Sequence, residues 1–84
     1  MSVQLKIPDG VAQAIRLPEK RMERDLLIEL ALALYSQGCL SFGKARELTG
    51  LSKYEFGRLL GKRGIPRHYE AEEVEEDIKY ADRQ

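Results

Sequence analysis

Ser41-Phe42-Gly43-Lys44-Ala45-Arg46-Glu47-Leu48-Thr49-Gly50-Leu51-Ser52-Lys53-Tyr54-Glu55-Phe56-Gly57-Arg58-Leu59-Leu60 decides the fold. It divides into two short helices about a glycine turn. Ser41 is placed to cap the first helix, on which Phe42, Ala45, Leu48 and Thr49 share a face, and Gly50 ends it because glycine enters the left-handed region without a Cβ clash. The second helix starts at an S-x-x-E capping box, Ser52 with Glu55, flanked by Leu51 and Phe56 as a hydrophobic staple. These devices fix where the helix begins and at what angle the chain enters it. With Phe56, Leu59 and Leu60 turned inward, Lys53, Tyr54, Gly57, Arg58, Gly61 and Lys62 are left for solvent or ligand. Gly57 and Gly61 each cost about 1 kcal/mol relative to alanine inside a helix. Close approach to DNA or to another helix would compensate them.

Outward from this segment, the charges are segregated although the chain as a whole is neutral, with 14 basic and 14 acidic residues. Residues 44–67 carry Lys44, Arg46, Lys53, Arg58, Lys62, Arg63 and Arg67 against only Glu47 and Glu55. Residues 70–84 reverse the sign, with Glu70, Glu72, Glu73, Glu75, Glu76, Asp77 and Asp82 against Lys79 and Arg83. A basic block on a helix-turn-helix, residues 41–63, predicts attraction to phosphate. Residues near the start of a recognition helix meet base edges in the major groove, which nominates Lys53, Tyr54 and Arg58 as reading residues. Lys44, Lys62, Arg63 and Arg67 are the expected phosphate contacts.

Towards the N-terminus, residues 19–37 read as the longest helix. Met22, Leu26, Leu27, Leu30, Ala31, Leu34 and Tyr35 recur at helical spacing, Ile28, Leu32 and Ala33 widen the apolar surface, Pro18 opens the segment and Gly38 stops it. A helix apolar on most sides in so short a chain argues for contacts on two sides, one within the domain and one with a second copy. Val3-Gln4-Leu5-Lys6-Ile7 alternates apolar with polar and stops at Pro8-Asp9-Gly10, which predicts a short strand. With no second strand of equal quality in the chain, it is expected to pair with its copy in a homodimer, or else to pack on the helices as an extended arm. Val3, Leu5, Ile7, Leu27 and Leu34 are the expected dimer contacts. Residues 11–17 read as a short helical or irregular link.

The expected architecture is therefore mainly α, with a short N-terminal strand, a long helix, the helix-turn-helix and a short acidic C-terminal helix. Residues 1–67 form one domain and residues 68–84 an acidic tail, whose Tyr69, Val74 and Ile78 offer a narrow apolar stripe to a partner or to the chain's own core. Cys39, the lone cysteine, allows no internal disulfide and reads as a small packed hydrophobe in a reducing compartment, the cytoplasm. No signal peptide or membrane-spanning run is legible. His68 is the one histidine and stands at no metal-ligand spacing, no nucleophile has a base placed for it, and no glycine-rich phosphate loop is present. The residues therefore predict neither metal nor cofactor, and not an enzyme.

Residues 24–77, with E-L-A-L-A-L-Y-S-Q-G, S-F-G-K-A-R-E-L-T-G-L-S-K-Y-E-F and L-L-G-K-R-G-I-P-R-H-Y, resemble a family of small uncharacterised prokaryotic proteins with a predicted helix-turn-helix, often encoded beside PIN-domain ribonuclease toxins. The resemblance implies a transcriptional regulator or an antitoxin whose acidic tail contacts the toxin. One position departs: such proteins usually carry alanine four residues before the turn glycine, where this chain has Arg46, and an arginine squeezed there would alter the helix crossing. The competing expectation is a protein-interaction module that uses the apolar long helix and the acidic tail, with the helix-turn-helix as scaffold.

Overall fold

A computed structural model of the protein describes residues 1–68, and within them the chain is helical. Helix α1 spans Asp9–Ala14, a 3-10 turn spans Glu19–Arg21, and α2 (Met22–Ser36), α3 (Phe42–Thr49) and α4 (Lys53–Lys62) follow. The expected acidic helix, with Tyr69, Val74 and Ile78, lies outside the described residues.

The expected strand is not present among the described residues: residues 1–8 form no ladder. The physical reason is contained in the sequence itself, since a strand exists only by pairing and this chain offers no second one. The turn signal after it is also replaced by structure. Pro8 caps α1 with its carbonyl, which accepts from the N–H groups of Val11 and Ala12 at 3.0 and 2.9 Å, and Asp9 stands in the first turn, where the helix dipole favours a carboxylate. Pro18 sits just before the 3-10 turn, and its carbonyl accepts from the N–H of Arg21 at 3.0 Å.

Helix α2 ends at Gly38, whose φ of 76° allows the N–H of Gly38 to donate to the Tyr35 carbonyl and that of Cys39 to reach the Leu34 carbonyl. This pair of reversed bonds is a Schellman ending. Gly64 and Ile65 repeat it at the end of α4, on the carbonyls of Gly61 and Leu60, and Ile65 packs back on the core. Cys39 was expected to pack as a small hydrophobe. It is instead exposed, because the position that follows a left-handed glycine is here turned to solvent while Leu40 takes the inward place.

Which face of α2 makes the core could not be told from periodicity on a helix apolar nearly all round. The packed stripe is Ala31, Leu32 and Tyr35, all buried, with Ile28 against them. They meet Phe42 and Ala45 of α3 and Phe56 and Leu60 of α4. Tyr35 stands edge-on to Phe42 and Phe56 at centroid distances of 6.1 and 6.3 Å, and the two phenylalanine rings meet at 5.3 Å and 64°. Edge-to-face contacts of this kind add to the area buried by each ring. The Tyr35 hydroxyl accepts a hydrogen bond from the N–H of His68, so segment 65–68 is strapped over the aromatic centre.

Candidate nucleic-acid interface

The caps and the glycine ending expected about the turn between α3 and α4 form, and Leu51 packs against the core. The Ser41 hydroxyl accepts from the Lys44 N–H at 3.2 Å, and Gly50 takes φ 76° so that its N–H closes on the Arg46 carbonyl at 3.0 Å. Ser52 Oγ accepts from the Glu55 N–H and Glu55 Oε1 accepts from the Ser52 N–H, both at 3.1 Å. These two bonds, led by the one from the Ser52 backbone, hold the Glu55 carboxyl below its ordinary range. Thr49 stitches the turn further. Its buried hydroxyl donates to the Arg46 carbonyl at 2.7 Å and accepts from the Leu51 N–H at 3.1 Å.

Arg46 lies beside the turn. It is half-buried, and Nη1 reaches the Leu51 carbonyl at 3.4 Å, while the neighbouring Ala45, with no exposed surface at all, makes the tight contact with the core. The guanidinium thus lies along the turn.

Lys53, Tyr54, Arg58 and Lys62 are all exposed on α4. Tyr54 has 73% of its surface free, and the Arg58 guanidinium lies over its ring at 5.9 Å. Among the described residues no carboxylate engages Arg58 or Lys62. Other basic residues of the block have contacts within the chain. Lys44 pairs with Glu47 at 3.4 Å, one turn away on α3. Arg63 forks onto Glu29 of α2, with Nη1 and Nη2 at 2.9 and 2.6 Å from the two carboxylate oxygens, which depresses the Glu29 carboxyl and raises the arginine. Arg67 lies 3.9 Å from the centre of the Phe42 ring. The sequence identified the charged block but not these partners, because Glu29 is 34 residues from Arg63 and nothing local links them.

Two hollows mark the described surface. A furrow of about 490 Å³ runs between α4 and segment 65–67, lined by Tyr54, Gly57, Arg58, Gly61, Ile65 and Arg67 among others. On the other side of the molecule, Val3, Leu5 and Ile7 are 75%, 72% and 40% exposed and, with Leu26, Leu27, Leu30 and Leu48, line an open apolar hollow of about 750 Å³. Leu34 is half-buried and continues the row of Leu27 and Leu30. Among the described residues no group of histidine, cysteine and carboxylate side chains could hold a metal ion, and no helix is long and apolar enough to cross a membrane.

Fold and surface together define a small helical domain built on a helix-turn-helix, with a basic face on its last described helix. The chain belongs to the uncharacterised protein family UPF0175, which it matches over residues 1–83. A UPF0175 protein of Aeropyrum pernix is 44% identical over 79 residues, covering 94% of this chain and 84% of the relative. One of Archaeoglobus fulgidus is 38% identical over 76 residues, covering 90% and 85% respectively. One of the cyanobacterium Synechocystis is 34% identical over 80 residues, covering 95% and 85%. No solved structure matches the chain.

Proposed function

We propose that the protein is a DNA-binding transcriptional regulator that acts as a homodimer in the cytoplasm and is not an enzyme. Helix α4 enters the major groove, with Lys53, Tyr54 and Arg58 at base edges and with Lys44, Lys62 and Arg67 near phosphates. The observation that carries this reading is the exposure of Lys53, Tyr54, Arg58 and Lys62 on a helix whose start is set from both sides by the capping box. A scaffold helix gains nothing from such a display. Arginine at Arg58 can donate two bonds to guanine, and tyrosine at Tyr54 can meet a thymine methyl or a phosphate. Arg63, neutralised by Glu29, braces α4 against α2 and sets the height at which the reading residues stand.

The dimer is supported by the exposed arm, whose Val3, Leu5 and Ile7 share an apolar hollow with Leu26, Leu27 and Leu30 and offer it to a second copy. Two-fold pairing would place two copies of α4 on half-sites about one DNA turn apart. An antitoxin role against a PIN-type ribonuclease rests on the resemblance of residues 24–77, with Tyr69, Val74 and Ile78 as the toxin contact. The same hollow supports a second reading, a protein-interaction module in which the helix-turn-helix is scaffold.

Replacing Arg58 separates the two. Arg58→Ala should weaken binding to the preferred duplex by about 1 to 3 kcal/mol and flatten its preference over scrambled sequence, read by competition titration. A variant with the affinity and preference of the parent would remove Arg58 from the reading set.

A further inference from the structure

Gly57 and Gly61 are one turn apart on α4, in the row that begins at Lys53, beside the row formed by Tyr54, Arg58 and Lys62. Glycine in a helix interior is unfavourable, and something usually requires it. Nothing among the described residues does. A Cβ built at either position would meet no described atom beyond its own helix within 4 Å, and neither residue has a positive φ. Both glycines line the furrow of about 490 Å³ described above, which has Arg58 and Tyr54 on one side, Ile65 and Arg67 on the other. Its walls thus carry two guanidinium groups, fixed by different means: Arg58 lies over the Tyr54 ring and Arg67 over Phe42. Segment 65–67 is itself held in place by the Ile65 N–H on the Leu60 carbonyl and by the strap from His68 to Tyr35.

We infer that this furrow seats one sugar-phosphate strand of the bound duplex, held between the α4 backbone and Arg67 while Arg58 on the opposite wall reaches on to the bases. The inference rests on the DNA-binding reading and extends it from the reading face to the wall of the groove. A strand lodged there approaches the α4 backbone as closely as the glycines permit, and Arg67 contributes to neutralising its phosphates in a sequence-independent way. The glycines are positioning residues: methyl groups at 57 and 61 would lift the strand and, with it, the register of Lys53 and Tyr54 against the bases.

The test uses the full chain, Gly57→Ala, Gly61→Ala, the double variant and Arg67→Gln, each titrated by fluorescence anisotropy against a labelled duplex from the protein's own promoter and a scrambled duplex. The alanines should raise the thermal midpoint, since a helix former replaces glycine in open space, and yet lower affinity for both duplexes, tenfold or more for the double variant. Arg67→Gln should lose affinity uniformly across sequences and reduce the slope of log K against log salt by about one. Alanine variants with a raised midpoint and undiminished affinity would overturn the furrow while leaving α4 as the reading helix. A parent protein that binds neither duplex would overturn both.

Discussion

Ser52 and Glu55 exchange hydrogen bonds in both directions, and the consequence for stability can be given a sign. The Glu55 carboxyl is held below its ordinary value of 4.5, so its contribution is fully present above that value and is lost as pH falls through the lowered one. The difference in urea stability between the parent and Glu55→Ala should therefore be open at pH 7 and closed well below pH 4.5. A gap that persisted unchanged in acid would mean that the capping carboxylate does not act through its charge. Ser52→Ala, which removes the other half of the box, should cost about 0.5 to 2 kcal/mol at neutral pH. The pair of Glu29 and Arg63 has better geometry but each side chain is about half exposed, at 50% and 45%, and a solvent-screened pair of this kind contributes only about 0.2 to 1 kcal/mol. Its role is to fix where α4 lies on α2 rather than to stabilise the fold.

At the scale of elements, what was legible in the sequence was what is local. Gly50, the capping box, the inward set of Phe56 and Leu60 and the stops at Gly38 and Gly64 all depend on residues within a turn of one another, and all form. What was not legible depends on distant partners. Helix α2 carries apolar residues on nearly every side, so periodicity could not tell that Ile28, Ala31, Leu32 and Tyr35 would face the helix-turn-helix while Leu27, Leu30 and Leu34 would not. Likewise the alternation of Val3, Leu5 and Ile7 named a strand without supplying the neighbour that makes one. The charges of Arg63 and Arg67 were visible, but their engagement by Glu29 and by the Phe42 ring was not. The aromatic centre formed by Tyr35, Phe42 and Phe56 is the point at which three helices meet, and it carries most of a thin core. Phe56→Ala should cost about 3 to 5 kcal/mol. Against a total near 0.1 kcal/mol per residue, that is a large share of what a domain of this size has. Far-UV circular dichroism should show a melt shifted down by many degrees, and an unshifted melt would place the core elsewhere.

For the whole molecule, two surfaces with opposite character stand on different elements: a basic face on α4, and an apolar hollow between the arm and the start of α2. A homodimer that buries the hollow would expose two basic faces at once, and such a dimer ties DNA affinity to assembly. Leu5→Glu is expected to shift sedimentation towards the monomer, because the side chain is 72% exposed in the single chain and its replacement leaves the folded domain intact. A monomeric parent, or a variant that sediments with it, would remove the arm from the interface. One measurement reaches the basic face directly: anisotropy titration of the purified protein with duplex from its own promoter and with scrambled duplex, each at a low and a moderate salt concentration. The predicted result is binding that prefers the promoter duplex and weakens steeply with salt for both, as expected when Lys and Arg displace counterions from phosphates. Binding to neither duplex at low salt would contradict it and leave α4 as scaffold.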